Sequence, residues 1–148
     1  MKNLVNIILD RLDHSIQKKN IQILKKNLSK RIDLYVDVGA HRGEMINTIS
    51  NNFTVNKIFA FEPNPECSNT LKKIKKNNLK IFEFALGNKK GNKNLNIGHI
   101  SSMSSINDIN NKSLYSKLKK IVIGLFYFKI SFYKKKIRIK VKTLSEIL

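Results

Sequence analysis

Gly39 and Gly43 bracket Ala40-His41-Arg42 within the stretch Asp37-Val38-Gly39-Ala40-His41-Arg42-Gly43-Glu44, which follows an apolar run. About 20 residues further on, a second apolar run ends in Glu62, with Pro63 and Asn64 behind it. Glycine takes positive φ at no steric cost, and its missing side chain lets a ligand reach the backbone. A carboxylate at the end of the next strand can accept hydrogen bonds from both hydroxyls of a ribose. The glycine turn alone is weak evidence. Turn and acid together point to a nucleotide-type ligand. The bland reading of Glu62 is a charge at a helix N-terminus, but Glu66 already fills that role.

Three ligand classes compete for this turn. A phosphate-binding loop needs a longer glycine spacing closed by Lys and Ser or Thr, and neither is present. A dinucleotide turn wants glycine where His41 stands. S-adenosylmethionine has no pyrophosphate, so one tight turn around its amino-acid end suffices, and its ribose suits Glu62. In this reading Gly43 lets the following helix start close to the strand. The N–H groups at the helix start then face an anionic group.

The elements that must position these residues are legible from patterning. Residues 33–38, 57–62 and 80–86 are short apolar runs that predict buried strands. Met45, Ile46 and Ile49 predict a helix after the first. Asn64 caps the next helix, with Pro65 at its first position and Glu66 in its first turn, and Cys67, Leu71 and Ile74 form its inner stripe. Strand, helix, strand, helix, strand predicts parallel strands in an α/β layered fold, with ligands at the carboxyl ends of the strands. Two amphipathic helices are expected over 2–13 and 15–29. Residues 1–30 thus form a helical extension and 31–148 the α/β domain. Residues 94–99 predict a short extended piece and 100–108 a polar loop, while 112–135 fit either helix or strand. Residues 136–144 alternate with Ile137, Ile139 and Val141 on one face, which predicts an antiparallel or edge strand. A helix then starts at Thr143 or Ser145.

The chain carries 29 Lys and Arg against 10 Asp and Glu, a net charge of +19. Such an excess suits nucleic acid, an anionic membrane surface or acidic substrates. Only Arg11, Arg31, Arg42 and Arg138 are arginine, and the dominance of Lys, Asn and Ile fits an AT-rich coding sequence. Base readers use arginine and stacked aromatics at specific points. Compositional bias and solubility are therefore favoured over a specific nucleic-acid site. Residues 117–136 set lysine clusters around an apolar aromatic stretch, a pattern suited to peripheral contact with an anionic membrane. Packing on the sheet is the simpler account. No segment reaches the ~20 apolar residues of a membrane span, and Met1 to Asp13 does not read as a signal peptide. Cys67 is the single cysteine, which excludes an intrachain disulfide. A cytoplasmic protein, at most peripheral at the inner membrane surface, is expected.

The quoted stretches resemble the FkbM-like methyltransferases, a branch of the S-adenosylmethionine-dependent enzymes with a Rossmann-like fold. The matching pieces are "VDVGAHRGE", "FAFEPNP", "FALGNKKG", the double serine of "SSMSSI" and "VKTLSEIL". They occur in the family's order and cover roughly residues 30 to 148. The resemblance implies that Asp37, Gly39, Ala40, His41 and Gly43 lie at the methionine end of the cofactor. It implies that Glu62 holds the ribose, that Pro63 and Asn64 shape that loop, and that Ala85 and Leu86, ending the third strand, lie near the adenine. It also implies O-methylation of a sugar or natural-product hydroxyl, as in glycan synthesis. Two departures stand out. Ser145 replaces an acid usual in the family, and the family continues into further strands beyond this helix. A fragment truncated after the third parallel strand and an edge strand is the expectation.

Methyl transfer to a hydroxyl needs alignment of the acceptor and removal of its proton. His41 and His99 are the histidine candidates. His41 reads as a loop residue of the cofactor turn, and His99 more simply as a solvated turn histidine. Ser104 and Ser105 can hydrogen-bond a substrate or belong to a lid. Cys67 reads as core packing, and no Asp, Glu and His cluster has metal-ligand spacing. The alternatives to catalysis are a basic nucleic-acid-binding module or a membrane-surface-binding module.

Overall fold

The structure is a computed structural model that describes residues 18–98, 104–106 and 133–148. The helix expected over 2–13, the start of the one expected over 15–29, His99, and residues 117–132 of the lysine-flanked stretch lie outside the described residues. By packing, the chain divides into two compact units. One is Ile16–Lys93 with Arg138–Leu148, and the other is Met1–Ser15 with Asn94–Ile137.

Helix α1 covers residues 18–27. The order then runs β1 (Arg31–Val38), α2 (Glu44–Asn52), β2 (Thr54–Phe61), α3 (Pro65–Leu71), β3 (Leu79–Phe82), β4 (Ala85–Leu86), β5 (Gly91–Gly98) and β6 (Tyr133–Lys142), with a 3-10 turn at Leu144–Glu146. Strands β1, β2 and β3 form one sheet in that order, all parallel. This is a Rossmann-like α/β arrangement, as the strand–helix alternation requires.

Two apolar clusters bind the helices to this sheet. Ile46 of α2 and Leu71 of α3 meet Ile58 and Ala60 of β2 and Ala40 of the turn. Both helices thus bury their stripes on one sheet face. Ile21 of α1 packs with Ile49 and Phe53, with Leu24 beside them. Leu28, inside the helix expected over 15–29, is exposed beyond the end of α1. On β2 and β3, Phe61 stacks on Phe82 at 4.6 Å, and Phe84 tilts against both rings.

Three expectations need correction. The third strand does not run through residues 80–86. It stops at Phe82, opposite the last residue of β2, Phe61. Glu83 breaks the run. It turns out to Lys72 and the Ser68 hydroxyl, and Ala85–Leu86 then join a second sheet of order β4-β6-β5. The strand expected at 136–144 is neither antiparallel to β4 nor at an edge. It lies between β4 and β5 and pairs parallel with β4, with Ala85 opposite Val141. Alternation fixes which face is buried but not the direction of the partner. The chain between Leu86 and Tyr133 is long enough for the crossover that a parallel pair needs. Finally, "TLSEIL" forms a 3-10 turn rather than an α-helix, with the Thr143 amide donating to the Glu146 carboxylate at 3.0 Å.

Candidate cofactor site

β1 delivers the chain into a turn of alternating handedness. Gly39 has φ +79°, His41 +51° and Gly43 +89°. His41 is the non-glycine residue in this strained region, at a cost of roughly 1–2 kcal/mol. Its bonds offset that cost. Its amide donates to Glu62 Oε2 at 2.8 Å, and its ring Nδ1 lies 3.0 Å from Glu44 Oε1. The neighbouring Arg42 amide donates to Glu44 Oε2 at 3.1 Å. Gly39 and Ala40 both donate to the Phe61 carbonyl, at 2.9 and 3.1 Å, and Gly43 donates to the Ala40 carbonyl at 2.8 Å. Every amide from Gly39 to Gly43 is thereby used within the protein.

The turn's own donors are spent, and Asp37, Glu44 and Glu62 surround it with negative charge. Such a surrounding favours a cationic end of a ligand over an anionic one.

Glu62 is the keystone. It is 6% exposed, and its second oxygen accepts the Asn64 amide at 2.8 Å. Pro63 has no N–H, so Asn64 supplies the first amide donor after Glu62. One carboxylate therefore ties the loop after β1 to the loop after β2. Asn64 in turn caps α3, its side chain accepting the Glu66 amide at 3.1 Å, and its Nδ2 points to Cys67 Sγ at 3.4 Å. Cys67 is buried, and burial with the nearby Glu62 charge pushes its thiol up to about 11. It packs as a small apolar residue.

Asp37 ends β1 on the same side. Its Oδ2 is buried with no hydrogen-bond partner. Burial pushes its pKa up to about 6, against the lowering bond from the Tyr35 hydroxyl, and the Glu44 and Glu62 charges raise it further. Burial and the Asp37 charge likewise raise the Tyr35 phenol.

The two glycines serve different purposes. A Cβ on Gly39 would meet nothing within 4 Å, so this position opens onto free space. A Cβ on Gly43 would overlap Ile74 Cδ1. Gly43 therefore admits the segment after α3, where the sequence suggested closeness to the strand.

A family model described as Methyltransferase FkbM domain matches residues 37–148. The chain belongs to the FkbM methyltransferase family. Its match begins at Asp37, the first residue of the site just described. Among solved structures, a putative S-adenosylmethionine dependent methyltransferase from Listeria monocytogenes is similar at 17% identity and a TM-score of 0.36. That similarity covers 43% of this chain and 30% of the other. No curated protein matches at a significant level.

Of the residues expected at the site of this FkbM chain, the structure brings together Asp37, Gly39, Ala40, His41, Gly43, Glu62, Pro63 and Asn64. Ala85 and Leu86 lie not at the end of the third strand but in β4, paired with Val141 and Lys142 of β6. Ser104 accepts the Gly98 amide through its hydroxyl at 3.2 Å, and the Ser105 backbone pairs with Asn96. These bonds fold the double serine back on β5. His99 lies outside the described residues. Two contributors were not singled out from sequence. Glu44 fixes the His41 ring and the Arg42 amide, and its place at the start of α2 was the available signal. Tyr35 stands two residues before Asp37, hence on the same strand face.

Proposed function

We propose that this chain forms the cofactor-binding part of an S-adenosylmethionine-dependent methyltransferase that methylates a hydroxyl of a sugar or related natural product. The observation that carries the reading is the Glu62 carboxylate, held against the glycine turn by the His41 amide. An acid locked at the end of β2 beside a turn at the end of β1 is what ribose recognition requires.

The residues present fit that cofactor. Glu62 is an acceptor with lone pairs left over for ribose hydroxyls. Asp37 offers a buried, unpartnered oxygen to a cationic amino-acid end. Gly39 leaves open space over the turn. When bound, S-adenosylmethionine supplies an electrophilic methyl group on a sulfonium centre. The chain's own residues bind and orient: Glu62 and Asn64 fix one loop, and Glu44 fixes the other. The acceptor class rests on the family resemblance.

Calorimetric titration with S-adenosylhomocysteine tests the reading. Glu62→Gln is the informative variant, because Glu62→Ala also strips two amides of their acceptor. Binding in the micromolar range, weakened at least about tenfold by Glu62→Gln in a folded chain, is expected, since the neutral amide is a weaker acceptor. Equal affinity in both would remove Glu62 from the cofactor site. Methyl transfer from labelled S-adenosylmethionine to a panel of sugars then tests the acceptor.

A further inference from the structure

β6 carries a cation at every second position: Lys134, Lys136, Arg138, Lys140 and Lys142. The first four are exposed, and Lys142 is half-buried with its Nζ 4.9 Å from the Phe84 ring centre. Side chains alternate along a strand, so all five share one face in a row roughly 26 Å long. Ile137, Ile139 and Val141 turn to the other face, where Ile139 and Val141 are buried. None of the five has an acidic partner among the described residues. A lysine-rich composition does not by itself produce this row. Basic residues are 29 of 148, whereas the exposed half of β5 reads Gly91-Asn92-Lys93-Asn94.

We propose that this face of β6 docks on an anionic phospholipid surface. Four of the five cations are lysines, point charges on long stems that bind phosphate without base readout. No aromatic ring stands in the row to stack a base, and one guanidinium offers little for base-edge recognition. The four exposed cations of the row offer their charge together to a plane of headgroup phosphates. Each cation near such a surface adds to the attraction, and salt screens it. The proposal rests on β6 alone and stands apart from the methyltransferase reading.

Co-sedimentation with phosphatidylcholine vesicles, with and without phosphatidylserine, tests it. The chain is compared with Lys136→Glu/Arg138→Glu/Lys140→Glu and with Lys25→Glu/Lys26→Glu/Lys30→Glu. The second set makes the same charge change at exposed positions elsewhere. Binding only to the phosphatidylserine vesicles is expected, reduced at least about tenfold by the β6 set and within about threefold by the other. Equal losses in both sets would show an effect of net charge and overturn the proposal. So would equal binding to neutral vesicles, no vesicle binding at low salt, or a β6-dependent loss seen with an oligonucleotide but not with vesicles. Thermal melts check each variant. If the glutamate set melts early, Lys134→Gln/Lys136→Gln/Lys140→Gln replaces it, with the same outcomes deciding.

Discussion

The two sheets put charge to opposite uses. Around β1 and β2, the Glu62 and Asp37 carboxylates turn inward, and the exposed Glu44 turns back on its own loop. Glu62 accepts two amides, Glu44 accepts an amide and touches an imidazole, and Asp37 keeps one oxygen buried. Along β6, Lys134, Lys136, Arg138 and Lys140 turn outward and form no ion pair with an acid among the described residues. Inward charge fixes backbone conformation and is costly to remove, because it leaves buried amides unpaired. Outward charge contributes little to folding and stays in contact with solvent. One region is thus organised by its charges, and the other only displays them.

The contrast can be broken in order of expected effect. Glu62→Ala orphans the His41 and Asn64 amides and should cost about 3 kcal/mol in denaturant unfolding, with Glu62→Gln costing about 1 kcal/mol. A negligible loss for Glu62→Ala would mean that this carboxylate does not organise the two loops. Gly43→Ala combines φ +89° with a Cβ on Ile74 and should cost about 2 kcal/mol. Gly39→Ala, strained but unobstructed, should cost roughly half as much by the same melts.

The third effect depends on pH. The folded chain holds the Asp37 proton more tightly than the unfolded chain does, since its pKa rises to about 6 from 3.8. Between those values the folded state binds more protons, so this group's contribution to stability falls as pH rises. Asp37→Asn should remove that slope. Above pH about 7 the variant should be more stable by about 1–2 kcal/mol, less than the full shift implies because solvent reaches the side chain. Melts across pH 4 to 8 with parallel slopes for both proteins would remove Asp37 as the source. Smallest of all, Lys136→Glu/Arg138→Glu/Lys140→Glu should change stability by less than about 0.5 kcal/mol. A larger loss would place structural work on the β6 row and weaken the contrast.

Much of the region around the glycine turn was legible in the sequence. The Asn64 cap, Pro65 and Glu66 stand where their chemistry predicts, because a helix N-terminus is a local problem with local solutions. Ile46 and Ile49 face inward because the helical period leaves them no other face. Glu62 beside the glycine turn followed from strand length and order. The bonds inside the turn were not legible. Whether the His41 amide faces a ligand or Glu62 depends on an approach between residues 21 apart. The neighbours of β6 were equally hidden, since alternation carries no information on strand direction.

The sequence by itself determined the parallel α/β order, the buried faces and the pairing of a glycine turn with an acid. Those rest on short-range periodicity and steric rules. Only the tertiary structure decided that Glu62 locks both loops, that Asp37 keeps a buried oxygen unpartnered, and that the third strand breaks so that β6 can pair with β4. Each of these is a competition for hydrogen-bond partners between distant segments, and it is settled only when the chain brings them together.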